Sequence, residues 1–220
     1  MRRRLLAEGL GALLLAACVI GSGIMAQQLA GGNDAVALLA NTAATVAVLA
    51  VLIATLAPIS GAHFNPAVTL AACVQRQVSV RVALAYVTVQ VPGCCAGALL
   101  AHAMFDLPVL QASLHARTGI GQWLSELVAT SGLVLVIAFC GKPIDAAWRV
   151  ALWIGAAYWF TASTSFANPA ITIARALTDS FSGIRPVDVP AFIAAQLVGA
   201  VLGVVLARWL KGPAAANATI

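Results

Sequence analysis

Apolar residues fall in six long blocks along this chain, near residues 5–28, 34–56, 80–104, 122–139, 145–164 and 190–210. Each holds about 20 mostly apolar residues, enough for a helix to cross a hydrocarbon core about 30 Å thick. Two shorter apolar stretches, 66–74 and 169–177, follow an Asn-Pro and span only about half that depth. The pattern predicts an all-α polytopic membrane protein with six transmembrane helices plus two re-entrant half-helices. Composition agrees, since 9% of the 220 residues are charged against roughly 25% in an ordinary soluble domain. The first block follows Arg2, Arg3 and Arg4 but is longer than a signal-peptide core and lacks a persuasive cleavage site, so it is read as a membrane helix.

Six crossings put both termini on one side of the bilayer. That side carries Arg2, Arg3, Arg4, Arg76, Arg81, Lys142, Arg149, Arg208 and Lys211, while Arg117, Arg175 and Arg185 fall on the other. The excess places the termini in the cytoplasm of a bacterial inner membrane. The net charge of +5 then reflects orientation and contact with an anionic leaflet, and no basic run or aromatic interleaving points to nucleic acid. Cys18, Cys73, Cys94, Cys95 and Cys140 have no metal-ligand spacing and read as small buried apolar residues. Trp123, Trp148 and Trp209 sit near helix ends, where an indole suits the membrane interface.

Comparison of the chain with itself reveals a duplication. His63-Phe64-Asn65-Pro66-Ala67-Val68-Thr69-Leu70-Ala71 answers Phe166-Ala167-Asn168-Pro169-Ala170-Ile171-Thr172-Ile173-Ala174 at an offset of 103 residues. Gln90, Gly93 and Gly97 answer Gln196, Gly199 and Gly203 at an offset of 106. Each half holds an odd number of crossings, so the second enters the membrane from the opposite face and the repeat is inverted. The expected organisation is a first repeat over 1–105, a connecting loop over 106–117, a second repeat over 118–211 and a disordered tail over 212–220. The glycines allow close helix contacts, within one chain or between subunits.

Asn is a strong helix N-cap and Pro is favoured at the first helical position, so each Asn-Pro-Ala starts a helix at membrane depth. Such a broken helix survives there only where protein or a watery cavity satisfies the freed backbone groups. If the Asn65 and Asn168 side-chain oxygens cap their own helices, their NH2 groups remain free to donate to a passing oxygen. Pro66, Ala67, Pro169 and Ala170 complete the two pore-lining triplets.

On Ser60-Gly61-Ala62-His63-Phe64-Asn65-Pro66-Ala67-Val68-Thr69 and its partial copy in the second half, the chain resembles the aquaporins, or major intrinsic proteins, over all six crossings. The resemblance implies a homotetramer with one pore per subunit and no cofactor or metal. It also implies that the positive ends of the half-helices exclude protons and cations, for which aquaporin-type pores are the standing example. Glu8 and Glu126 match the family's loop-anchoring glutamates, and a lone carboxylate inside a membrane helix needs such donors. His63 lines the pore or is a satisfied core histidine. By family spacing the narrowest ring comprises Thr45, Ala156, Ser165 and Ile171, with Thr45 dependent on how Pro58 affects its helix. Ile171 stands where most relatives carry arginine. A ring without that guanidinium is wider and less polar, admitting glycerol, urea, water and metalloid hydroxides such as arsenous acid. The stretch 166–186 resembles a bacterial subgroup encoded beside arsenic-resistance genes, which implies arsenite or methylated arsenicals as solutes. Arg175, one turn past Ile171, either makes an electropositive vestibule that partly replaces the missing filter charge, or is a snorkelling surface residue paired with Asp179.

The alternatives are a water-selective aquaporin and, behind it, an ion-coupled secondary transporter. An ion-coupled secondary transporter shares inverted repeats but usually needs midplane acids, and Glu8 and Glu126 are the only glutamates. An intramembrane enzyme is not expected, because His63, His102 and His115 are dispersed and no Ser or Cys neighbours a His.

Overall fold

The computed structural model describes residues 1–212, and the tail expected beyond Pro213 lies outside the described residues. Among these there are eight α-helices and no strand: α1 (Arg2–Leu29), α2 (Asp34–Ser60), α3 (Pro66–Val74), α4 (Val80–Met104), α5 (Ile120–Ala138), α6 (Pro143–Phe160), α7 (Pro169–Arg175) and α8 (Val189–Lys211). Five of the long helices are apolar enough by composition to cross a membrane. The sixth long helix, α6, has only 18 residues and carries Asp145 and Arg149 near its start, so its rise of about 27 Å just matches the hydrocarbon core.

Sequence chemistry sets the helix boundaries. Asn33 caps α2 by accepting from the Ala35 and Val36 amides at 3.1 and 3.3 Å. Gly61 ends α2 in the left-handed region at φ 94°, a conformation that costs glycine little. Pro58 lies within the last turn of α2, thirteen residues beyond Thr45, so it leaves the register at Thr45 alone. Ser79 caps α4 through the Val82 amide.

Helix α1 packs on α2 and α4, α5 packs on α6 and α8, and α2 meets α6 to join the halves. The half-helix α3 rests on α8 and α4, and α7 rests on α4 and α8, so each half-helix reaches across to the other half. The repeated glycines act inside the chain. A Cβ on Gly93 would lie 2.6 Å from the Gly9 carbonyl oxygen, and one on Gly199 the same distance from that of Leu127. They bring α4 onto α1 and α8 onto α5 at backbone contact. Of the cysteines only Cys94 is fully buried, while the other four are half-buried; Trp123, Trp148 and Trp209 are all exposed.

Candidate functional site

The two Asn-Pro-Ala turns meet in the middle of the bundle. Asn65 Oδ1 accepts from the Ala67 and Val68 amides at 2.8 and 3.4 Å, and Asn168 Oδ1 accepts from the Ala170 and Ile171 amides at 3.0 and 3.3 Å. The expectation that both NH2 groups stay wholly free needs correction. Asn65 Nδ2 donates to the Ala167 carbonyl at 2.8 Å and Asn168 Nδ2 donates to the Phe64 carbonyl at 2.9 Å. Each amide nitrogen carries two hydrogens, so the cross-link uses one and leaves one.

The turns hold backbone conformations that L residues rarely adopt. Ala62 and Phe64 have φ of 52° and 49°, and Ser165 and Ala167, 103 residues on, have φ of 49° and 46°. Such residues persist only when their surroundings over-determine them. The buried carboxylates do so. Glu8 accepts from Ser60 Oγ at 2.6 Å, the His63 amide at 2.9 Å, the Phe64 amide at 2.7 Å and Gln90 Nε2 at 2.8 Å. Glu126 accepts from Ser163 Oγ at 2.6 Å, the Phe166 and Ala167 amides at 2.8 Å and Gln196 Nε2 at 2.6 Å. Gln90 and Gln196 also donate to Thr69 and Thr172 on the half-helices. Neither the glutamines nor the serines are recognisable as anchors from the sequence, although extending the repeat back from His63 pairs Ser60 with Ser163.

A cavity of about 320 Å³ runs from Gln75 and Gln77 on the terminal face, past both Asn-Pro-Ala turns, to Arg175 near the opposite mouth. His63, Asn65, Asn168, Thr45, Ser165, Ile171 and Arg175 all line it. His63 is also bonded, its Nδ1 lying 3.1 Å from Thr69 Oγ1 and its ring edge-on to Tyr86. Ala156 does not line it. That residue is exposed and lies in a groove on the outer surface with Leu135, Val136 and Trp153. The position it was expected to fill belongs to Tyr158, whose hydroxyl is 3.2 Å from Thr45 Oγ1. With Tyr158 in place of Ala156, the cavity lining beside Thr45 is bulkier and more polar than the expected Thr-Ala-Ser-Ile set.

Arg175 is not a surface residue. It is 2% exposed, its Nε donates to the Ser182 carbonyl, and its guanidinium lies 3.4 Å above the Phe166 ring centroid. Asp179 instead accepts from the Leu114 amide at 2.9 Å. The loop after α4 folds over this mouth, with the Ser113 amide donating to Ala176 and the Arg185 amide to His115. Arg117 clamps it by donating to the carbonyls of Gly183, Ser163 and Phe181. Burial, with the nearby Arg117 and Arg175, pushes the His115 imidazole below its usual pKa, which keeps it neutral at physiological pH.

The model for "Major intrinsic protein" matches residues 1–145 and 141–219. The chain belongs to the major intrinsic protein family. It is 54% identical to aquaglyceroporin AqpS of Rhizobium meliloti (strain 1021) over 218 residues, covering 97% of this chain and 92% of that one. It is 31% identical to the lens fiber major intrinsic protein of Gallus gallus, covering 93% of this chain and 79% of that one. The aquaglyceroporin structure from Plasmodium falciparum superposes with a TM-score of 0.76 at 20% identity, covering 99% of both chains. As a multi-pass membrane protein, this major intrinsic protein carries two Asn-Pro-Ala turns, with Ile171 and Arg175 one helical turn apart on the half-helix that leads to the mouth opposite the termini.

Proposed function

We propose that this chain is a passive channel for small uncharged solutes, namely glycerol-like polyols, metalloid hydroxides such as arsenous acid, and water. The observation that carries the reading is the continuous cavity through both cross-linked Asn-Pro-Ala turns. At its middle Asn65 and Asn168 each offer one uncommitted N–H to an oxygen that enters, while apolar side chains such as Leu49, Val68 and Ile171 give alkyl carbons a dry wall. Since the bonds to solute replace bonds to water, transit needs little net energy. The 54% identity to a protein named an aquaglyceroporin supports solutes larger than water. The subunits assemble as homotetramers in a bacterial inner membrane with both termini cytoplasmic, an orientation favoured by the basic residues gathered on the terminal face.

Tyr158 favours a second reading, a water-selective pore, because a phenol in place of the expected Ala156 narrows the ring beside Thr45. Stopped-flow shrinkage and reswelling of proteoliposomes in parallel gradients of sucrose, glycerol and arsenous acid separates the two. Rapid reswelling with both solutes, lost in Asn168→Asp, supports the wider channel; fast water movement with no reswelling supports the water-selective one.

A further inference from the structure

Toward its Arg175 end the cavity lining falls into two levels along the helices. Thr45, Tyr158 and Arg175 line the outer one, and Leu49, Ile154 and Ile171 line the inner one. Helix α2 runs inward from this mouth while α6 and α7 run outward to it, so each inner residue lies four positions deeper than its outer counterpart on the same helix. Four residues amount to about 6 Å of rise. The fixed charge of Arg175 therefore sits one helical turn beyond an apolar collar.

That charge lacks a counter-ion. Among the described residues the one ion pair joins Arg185 to Asp188. Arg175 Nη1 has no hydrogen-bond partner, and neither has Ser165 Oγ, although both residues are 2% exposed and both line the cavity. The nearby carboxylates are occupied, Glu126 by four donors and Asp188 by the Arg185 side chain and the Arg117 amide. Arg117 adds positive charge across the Phe166 ring, 5.1 Å from its centroid, while each of its three nitrogens donates to a loop carbonyl. A buried guanidinium with an unpartnered nitrogen, lining the same cavity as an unpartnered hydroxyl, calls for an oxyanion.

Resting on the channel reading above, we propose that Arg175 and Ser165 form a binding site for a small monovalent oxyanion at the outer end of the pore, and that its occupant slows neutral-solute flux. The anion enters but does not pass, because the collar of Leu49, Ile154 and Ile171 offers no polar group to replace its hydration. Neutral hydroxylic solutes cross the same collar at far lower desolvation cost.

Nitrate is the probe. Glycerol reswelling is measured with nitrate replacing gluconate at constant ionic strength on both sides of the vesicle, each variant being scaled to its own nitrate-free rate. The wild type should slow saturably, reaching half its rate at the nitrate dissociation constant. Arg175→Gln should need about thirtyfold more nitrate, Ser165→Ala should shift the midpoint less, and Arg175→Lys should keep part of the effect. A nitrate-dependent rise in the thermal transition of the purified wild type, absent in Arg175→Gln, reads binding without flux. If the wild type moves no glycerol even in gluconate, the channel reading fails while the thermal assay still decides the site. Unchanged flux and transition in nitrate, or equal slowing in Arg175→Gln, overturns the proposal.

Discussion

Replacing Glu126 by Gln removes one charge and almost no volume, so its effect isolates the hydrogen bonds that hold the second re-entrant turn. One carboxylate oxygen serves Ser163 Oγ and the Phe166 amide, and the other serves the Ala167 amide and Gln196 Nε2. An amide cannot satisfy all four donors. With its NH2 toward Ser163 the hydroxyl can rotate to accept, but the Phe166 N–H is orphaned; turned the other way, Gln196 can flip and the Ala167 N–H is orphaned. One buried backbone donor left bare costs roughly 1–3 kcal/mol, and weakening the remaining charge-assisted bonds adds to it. Relief of carboxylate desolvation offsets part, leaving about 2–4 kcal/mol. The thermal transition in detergent should fall by roughly 5–10 °C, and glycerol flux should fall with it as Ser165 and Ala167 relax from positive φ. Glu8→Gln should match it through the mirrored bonds of Ser60, His63, Phe64 and Gln90. Because the turns bond each other through Asn65 and Asn168, the double variant should depart from additivity by about 0.5–3 kcal/mol. An unchanged transition and flux in both single variants would refute the claim that these carboxylates hold the turns.

Three further substitutions have defined outcomes. Tyr158→Ala opens the ring beside Thr45, so arsenous acid and glycerol flux should rise relative to water in the reswelling assay; no change in the ratio would remove Tyr158 from the constriction. Ile171→Arg puts a guanidinium into the apolar collar and should lower glycerol flux by roughly tenfold, equivalent to about 1.4 kcal/mol on the barrier, with water less affected. Gly199→Ala forces a Cβ to 2.6 Å from the Leu127 carbonyl, so α8 must lift from α5 at about 1–3 kcal/mol; an unshifted transition temperature would contradict that contact.

The sequence announced its long helices because each apolar block is bounded by chemistry that stops or starts a helix, as Asn33 and Gly61 do for α2. The starts of both half-helices were legible for the same reason, since Asn65 and Asn168 cap at fixed spacing. The filter was less legible. Family spacing points to Ala156, whereas Tyr158 lines the cavity, and two residues are about 200° around a helix, enough to exchange an outward-facing residue for a cavity-lining one. That phase depends on the path of 161–167, which Glu126 and Ser163 fix through space. Arg175 was equally opaque, because an arginine ending an apolar segment reads the same whether it snorkels or folds back over Phe166. Gln90 and Gln196 were visible as a repeat, but only their contacts with Glu8 and Glu126 give the repeat a meaning.

The most direct test of passive conduction follows labelled glycerol into proteoliposomes with and without imposed proton or sodium gradients. A channel predicts the same initial rate in every condition and a final inside concentration equal to that outside. Accumulation above the outside concentration, or uptake that depends on either ion gradient, would contradict the account and point to a coupled transporter.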